Sequence, residues 1–302
     1  MKISLVTPSY NQGKFIAEAL SSIISQKDNT FDLQLIVQDN CSHDATALAL
    51  EKYKVFDSVQ IVIEKDNGQA DALNRGFVHA KGDIYGWLNS DDVLLKGALS
   101  AVAKIFQENP HIDVVYGDAY FIDERGVIQH KYPTAEFNPD LLFSTCFLSQ
   151  PSVFFKRSIF EQVGGLNHNL IYCLDYNLWI KFFLAGAQFF HLKKCISATR
   201  IYPGTKTSSG GGQFVREIHQ MLANELGKVP ASWALYFEYS ELNNYRESNS
   251  LSKFMLSCIR FFRTNPSAAR EMLPWLMHLF KTRGIKQHLV IDSSRNLHFS
   301  EL

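Results

Sequence analysis

The chain predicts an α/β protein with a Rossmann-like, mostly parallel sheet flanked by helices and a helical extension at its C-terminal end. Three observations carry that prediction. Short apolar runs alternate with segments of helical period through the first third of the chain. Each of these runs ends in small polar residues, and right-handed crossovers gather such ends at one edge of a parallel sheet. From about Phe214 the strand signals stop and helical ones remain.

Ile3 to Thr7 reads as a strand that stops at Pro8, and Ser9-Tyr10-Asn11-Gln12-Gly13 follows as a polar loop. Phe15, Ile16, Ala19, Leu20, Ile23 and Ile24 then recur at helical spacing. Leu33 to Val37 is the second strand, ending in Gln38-Asp39-Asn40, and Asp44 suits the N-cap of the next helix. Val59 to Ile63 is the third strand, ending in Glu64-Lys65-Asp66-Asn67-Gly68 before a helix from about Gln69 to Ala80. Ile84 to Leu88 is the central strand, entered through Gly82 and running into Asn89-Ser90-Asp91-Asp92. A helix from about Lys96 to Glu108 closes at Asn109-Pro110, and a strand starts at Val114. Carboxylates at the carboxyl edge of an open sheet lie where ligands bind, and they suit a hard cation that clamps a diphosphate. The same four residues also suit a solvated turn that caps the next helix.

Composition narrows the class. A chain of 302 residues with 46% apolar and 20% charged residues is an ordinary globular protein, large enough for one big domain with an appendage or two modest ones. Thirty basic against thirty acidic residues give zero net charge and no global attraction to nucleic acid. Cys41, Cys146, Cys173, Cys195 and Cys258 are odd in number and form no C-x-x-C pair, which favours free thiols in a reducing compartment. The chain starts directly on a strand, and neither a signal peptide nor a transmembrane run of about 18 apolar residues is expected. No G-x-G-x-x-G follows the first strand and no G-x-x-x-x-G-K-[ST] occurs, which argues against a dinucleotide oxidoreductase and a P-loop NTPase.

Several stretches, taken together and in order, resemble a known family. They are Thr7-Pro8-Ser9-Tyr10-Asn11, Val37 to Thr46, Asp66 to Gly76, Asn89-Ser90-Asp91-Asp92, Gly164-Gly165-Leu166-Asn167 with Asp175-Tyr176-Asn177-Leu178-Trp179, and Arg200 to Thr207. This series is similar to the successive motifs of the family-2 glycosyltransferases, which have the A-type glycosyltransferase fold. Each motif is weak alone; the ordered set, over roughly the first two thirds of the chain, is specific. The resemblance implies a donor half over 1–110, an acceptor and catalytic half of the same domain over 111–213, and a helical region over 214–302.

The resemblance also implies roles. Thr7, Pro8, Ser9, Tyr10 and Asp39 would hold the nucleoside, and Asp66, Gln69, Asp71, Asn74, Asn89 and Ser90 the ribose and diphosphate side. Asp91, with Asp92 beside it, would bind Mn²⁺ or Mg²⁺, while Arg200 and Lys206 would neutralise phosphate charge. Asp175 would be the catalytic base; read from the residues alone it is an acid at a helix start, favoured there by the helix dipole. Asn89 and Tyr202 stand where the family often has Asp and His, which weakens the expected metal site, and Leu174 stands where it often has an acid, which leaves the Asp175 site one carboxylate fewer. Cys41 stands where the family usually has Gly, a tolerable change if its φ stays negative.

The expected activity is an inverting transfer of a sugar from a nucleotide-diphosphate donor, a UDP-sugar, to a saccharide or lipid-linked acceptor in polysaccharide biosynthesis. A sugar-nucleotide nucleotidyltransferase and a non-catalytic nucleotide-sugar-binding protein are the alternatives; the first lacks a basic, Gly-rich first loop, and retained Asp91 and Asp175 argue against the second. Between Lys253 and Lys286 basic residues outnumber the lone acid Glu271, beside aromatic bulk. This region either lies peripherally on the inner face of a membrane, in a cytoplasmic protein, or packs on the catalytic domain or on a second subunit as a homodimer.

Overall fold

The computed structural model describes residues 1–206, 211–242, 251–265, 268 and 272. The chain divides into two compact units, Met1–Thr134 with Leu148–Arg200, and Ala135–Phe147 with Ile201–Leu302. The second unit thus begins at 201 and includes a segment from the middle of the chain.

The first unit holds one sheet. In chain order it contains β1 (Lys2–Ser9), α1 (Ile16–Ile24), β2 (Asp32–Asp39), α2 (Thr46–Glu51), β3 (Val59–Ile63), α3 (Gln69–Val78), β4 (Ile84–Trp87), β5 (Val93–Leu94), α4 (Ala98–Glu108), β6 (Val114–Ile122) and β7 (Ile128–Lys131). After the excursion into the second unit come β8 (Val153–Lys156), α6 (Arg157–Gln162), α7 (Leu174–Leu184) and β9 (Phe189–Arg200). The order across the sheet is β3-β2-β1-β4-β8-β6-β9-β5, with β7 paired to β6. β3, β2, β1 and β4 are parallel, β8 runs against β4 and β6, β6 and β9 are parallel, and β5 and β7 run against their neighbours. Six of the nine strands therefore share one direction, as a mostly parallel sheet requires.

Strand period sorts the core into two faces. Ile3, Leu5, Ile84, Leu88 and Val115 join Ile16, Leu20 and Ile23 of α1 and Leu99 and Val102 of α4 in one aliphatic cluster. The alternate residues Tyr85 and Trp87 meet Phe77, Phe155, Phe160, Trp179 and Phe182 in an aromatic cluster on α3, β8, α6 and α7. Burying a side chain such as Phe155 fully stabilises the fold by roughly 1.5–3 kcal/mol. Gly76 lets α3 lie close on β1, because a Cβ there would stand 2.4 Å from Val6 Cγ1. α7 is buried nearly all round, with Leu174, Tyr176, Asn177, Leu178, Trp179, Ile180 and Phe182 inside.

One strand boundary differs from expectation. β1 does not stop at Pro8 but pairs through Ser9, opposite Asp39. Leu88 N donates to Val6 O at 3.0 Å, so Pro8, two residues on, faces the β4 side beyond the end of β4. A missing N–H costs no ladder bond there.

The second unit contains α5 (Pro139–Ser144), α8 (Gly211–Leu226), α9 (Ala231–Leu242) and α10 (Leu251–Thr264). Asn138 caps α5 by accepting from Leu141 N, and Ser232 Oγ donates to Ser144 O at 2.9 Å. Ala231, Leu235, Phe261, Ala268 and Met272 form a small buried cluster, and Arg260 pairs with Glu238 at 3.3 Å. α10 is thus packed on α9 within the second unit. The part of the basic tail from Trp275 to Lys286, like Ser208-Ser209-Gly210, lies outside the described residues.

Candidate functional site

The four polar clusters do share one edge, because β1 to β4 are parallel. Hydrogen bonds stitch them to one another. The loop after β1 locks into the loop after β2: Asn11 N donates to Ser42 Oγ at 2.8 Å, His43 N to Asn11 Oδ1 at 2.9 Å and Gln12 N to Thr46 Oγ1 at 2.9 Å. Asp44, the expected cap of α2, accepts from Gly13 N and from Thr46 N, both at 2.9 Å. Asn40 Oδ1 accepts from Asp66 N at 3.0 Å and so joins the ends of β2 and β3. Gln69 Nε2 donates to Asn89 Oδ1 at 2.7 Å and joins the start of α3 to the end of β4.

Thr7 and Ser9 are buried at the end of β1, and neither Thr7 Oγ1 nor Ser9 Oγ has a hydrogen-bond partner among the described residues. An unpaired buried hydroxyl costs roughly 1–3 kcal/mol, a cost that calls for a functional account. Pro8 lies between them in the strand, and Tyr10 is 54% exposed just beyond. Asp39 is buried and accepts from Ser42 N at 2.8 Å and Ser42 Oγ at 2.7 Å, which fixes its carboxylate at the end of β2. Asp66 is half-buried; burial and then the charges of Asp71 and Asp39 push its carboxyl above the ordinary value, against the pull of the Gly68 N–H and Arg75.

Cys41 adopts φ +51°, and the expectation of a negative φ is corrected. The backbone turns left-handed there because Asp39 takes the Ser42 N–H, folding the chain back within three residues.

Other expected residues serve the scaffold. Asn74 exchanges two hydrogen bonds with the Leu166 backbone, at 2.9 and 3.0 Å, and its amide is committed to that loop instead of a diphosphate. Gly165 suits the contact, because its φ is +73° and a Cβ would stand 2.8 Å from Asn74 Oδ1. Asp71 accepts from Asn67 N and from Arg75 Nε, and the Arg75 hydrogen bond holds its carboxyl below the usual range.

The turn after β4 is built around Asn89. Its Nδ2 donates to Asp92 Oδ2 at 3.2 Å and to Gln150 Oε1 at 3.1 Å, while Gln150 Nε2 reaches Trp87 O at 2.9 Å. An aspartate at 89 would set a carboxylate against two acceptors. Asp92 is 3% exposed, and its Oδ1 accepts from Arg200 N at 2.9 Å. Burial and the neighbouring Asp91 charge push the Asp92 carboxyl well above its ordinary value. Asp92 thus faces protein donors, and Asp91 beside it is half-buried. Ser90 is buried between them in the chain.

Arg200 departs furthest from expectation. It is 2% exposed, and all three of its guanidinium nitrogens donate to acceptors in the fold. Its expected contact with phosphate is therefore replaced by a structural one. Lys206 belongs to the second unit, after the turn at Pro203-Gly204.

Asp175 lies in the first turn of α7, with Cys173 at the N-cap. It is half-buried, and its Oδ1 accepts from Tyr176 N at 2.8 Å. Trp179, one turn on, stacks on Trp87 with centroids 5.5 Å apart, so the helix that carries Asp175 is packed on the strand that leads to Asp91.

Sequence reasoning missed Asp118. It is a carboxylate on β6, 8% exposed, that accepts from Lys131 at 2.7 Å and meets His191 Nε2 at 2.8 Å. His191 in turn stacks on Tyr116. Burial alone would raise the Asp118 carboxyl, but the Lys131 and His191 hydrogen bonds outweigh it and hold it below the ordinary value. A lone acid inside the apolar run from Val114 to Ala119 was the available signal.

Comparison with known proteins agrees with this arrangement. The pattern of Glycosyl transferase family 2 matches residues 4–164. A hyaluronan synthase of Pasteurella multocida is 26% identical over 248 residues, which cover 82% of this chain and 25% of that protein. The crystal structure of S. aureus TarS 1-349 in complex with UDP-GlcNAc superposes with a TM-score of 0.64 at 21% identity, covering 87% of this chain and 81% of that one. The mannosyltransferase PcManGT from Pyrobaculum calidifontis, in complex with GDP-Man and Mn²⁺, gives 0.58 at 17% identity, covering 94% and 88%. With more than half its length inside the family match and its strand-end clusters gathered on one sheet edge, the chain belongs to glycosyl transferase family 2.

Proposed function

We propose that this family-2 glycosyltransferase moves a sugar from a UDP-sugar to a saccharide or lipid-linked acceptor in polysaccharide biosynthesis, with inversion at the anomeric carbon. The observation that carries the reading is the stitched edge of β1 to β4, where unpaired Thr7 and Ser9 hydroxyls, fixed Asp39 and half-buried Asp91 end neighbouring strands. The polysaccharide setting is supported by likeness to a hyaluronan synthase, and the UDP donor by a fold shared with a protein that holds UDP-GlcNAc.

The roles follow from chemistry. The Asp39 carboxylate accepts from the base, and Thr7 and Ser9 complete their hydrogen bonding on the nucleoside. The residues fit a divalent cation of the kind shared with substrate phosphates: Asp91 offers one oxygen-donor carboxylate, and among the described residues no three His, Cys, Asp or Glu side chains form an all-protein cage. When bound there, Mn²⁺ or Mg²⁺ would stabilise charge on the leaving diphosphate. Asp175 takes the acceptor hydroxyl proton as that oxygen bonds to the anomeric carbon and the bond to the diphosphate breaks. The packing of Trp179 on Trp87 keeps α7 in place for this.

The test is incubation with separate nucleotide sugars and measurement of free nucleoside diphosphate. UDP release from one UDP-sugar, raised by acceptor, is expected. Pyrophosphate release from a triphosphate would assign a nucleotidyltransferase, and no release from any donor would assign a binding protein.

No helix among the described residues is long and apolar enough to cross a membrane. A peripheral contact is a narrower part of the proposal, supported by exposed Arg260 and Arg263 beside Ile259, which is 50% exposed on α10. Binding to anionic vesicles should fall when both arginines become Glu; unchanged binding removes the membrane contact.

A further inference from the structure

We infer that Arg200 is a positioning residue for Asp91, acting on the donor site through the backbone of the acidic turn and not by touching the nucleotide. The inference rests on the glycosyltransferase reading above.

Arg200 is the last residue of β9, and its guanidinium gathers segments far apart in the chain. Nε donates to Asp91 O at 2.8 Å. Nη1 donates to Asp123 O at 3.1 Å and Glu124 O at 3.2 Å, in the turn between β6 and β7. Nη2 donates to Glu18 Oε2 of α1 at 2.7 Å. The group lies over the Phe15 ring, 4.8 Å from its centroid. The Arg200 backbone adds the bond from its N–H to Asp92 Oδ1 at 2.9 Å. The acidic turn is thus held at two successive residues by Arg200, by its side chain at the Asp91 carbonyl and by its backbone N–H at the Asp92 carboxylate.

A buried guanidinium is tolerated only when its donors are met, and here a planar fork meets four acceptors at once. Its own geometry therefore dictates where those acceptors stand. The Asp91 carbonyl is one of them, so the Cα from which the Asp91 carboxylate projects is set before any ligand arrives. The same β6–β7 turn presents Glu124 to Lys14, which ties the loop after β1 into the assembly. A carboxylate whose backbone is held by a second layer of contacts binds a cation more tightly than the same acid on a loose turn, typically 10–100-fold. Lysine in place of Arg200 keeps the charge but loses the fork, and cannot meet all four acceptors.

The experiment is titration calorimetry of UDP on Arg200→Lys, with Mn²⁺ and with chelator, well below the melting temperature. The expected result is about a tenfold loss of Mn²⁺-supported UDP affinity with less than about twofold change in chelator. A purely structural role would lower the melting temperature and leave both affinities of the folded protein unchanged. Glu18→Ala is the second variant, since Glu18 is 55% exposed and anchors only Nη2. It should show the same Mn²⁺-selective loss at about threefold. Wild-type affinities in both folded variants would overturn the positioning role. A wild-type protein that binds neither UDP nor GDP would instead sink the glycosyltransferase reading, and the role of Arg200 with it.

Discussion

The β1–β4 half of the sheet and the half formed by β8, β6, β9 and β5 solve the same problem by different means. In the first, parallel strands end together and their loops hold one another through backbone N–H groups and short polar side chains, as Asn11 holds His43 and Asn40 holds Asp66. In the second, strand directions mix, and charge enters the sheet itself as Asp118 with His191 and Lys131, and as Arg200 with Glu18. The first half leaves the Thr7 and Ser9 hydroxyls without a partner among the described residues, at the edge where we propose the donor binds. The second spends its charges inside the fold. A charged residue at a strand end therefore has two opposite meanings, and the bonds around it decide between them.

The largest effect should come from Asp175, the base we propose, which α7 carries in its first turn. Asp175→Asn keeps the shape of a first-turn side chain on a helix whose N-cap is Cys173. Turnover should fall on the order of 10²–10⁴-fold with nucleotide affinity near wild type. Normal turnover by the folded variant would give Asp175 a structural role and move the base elsewhere.

Next is the join between the halves, where Asn89 of the β4 turn meets Gln150 just before β8. Family resemblance makes Asn89→Asp a restoration, whereas the structure makes it damage. The new carboxylate would lose donation to Asp92 and Gln150 and stand 3.2 Å from Asp92. A stability loss of about 1–3 kcal/mol is expected, with weaker nucleotide binding. A denaturant melt checks it, and a variant as stable as wild type with tighter Mn²⁺ binding would show that the amide network is dispensable.

Asp118→Asn probes the buried charges of the second half. Removing one partner of such a cluster should cost about 2 kcal/mol at neutral pH, less than a fully buried pair because Lys131 is 55% exposed. The Asp118 carboxyl is held below its ordinary value in the fold. Its contribution is therefore complete above the ordinary value of 3.8 and is lost as pH falls through the lower folded value. Melting temperatures across acid pH should show wild type and variant converging only below about pH 4. A constant gap from neutral to acid pH would mean that the ion pairing contributes nothing.

The two halves also differ in how far sequence alone reveals them. The donor edge was legible because each parallel strand is a short apolar run with its own polar ending, and strand direction followed from the intervening helices. The residues that stitch that edge were visible only as polar letters: nothing about Asn74 shows that it grips Leu166, 92 residues away. In the second half, β5 is two residues long and carries no period to read. Arg200 is expected at phosphate only because Arg200 to Thr207 resembles a family motif. Its partners at Glu18 and the Asp123 and Glu124 carbonyls are brought to it by the fold, at separations that no local pattern encodes.

The smallest effect, at Cys41, tests whether the donor edge carries strain. Cys41 holds φ +51° in the turn where Asp39 captures Ser42. A left-handed backbone costs a residue with a Cβ roughly 1–2 kcal/mol, and glycine is released from that cost. Glycine also enlarges the unfolded ensemble, which removes about 0.4–1 kcal/mol of the gain. Cys41→Gly should therefore stabilise the protein by about 0.5 kcal/mol. Cys41→Val adds branching at Cβ, which makes positive φ harder still, and should destabilise by about 1 kcal/mol or more. Nucleotide affinity adds the functional reading, because the base contact we propose for Asp39 requires this turn to hold its shape. Valine should weaken UDP binding and glycine should leave it unchanged. If both variants melt and bind like wild type, the turn after β2 relaxes freely, and the rigidity ascribed to the donor half does not extend to Asp39.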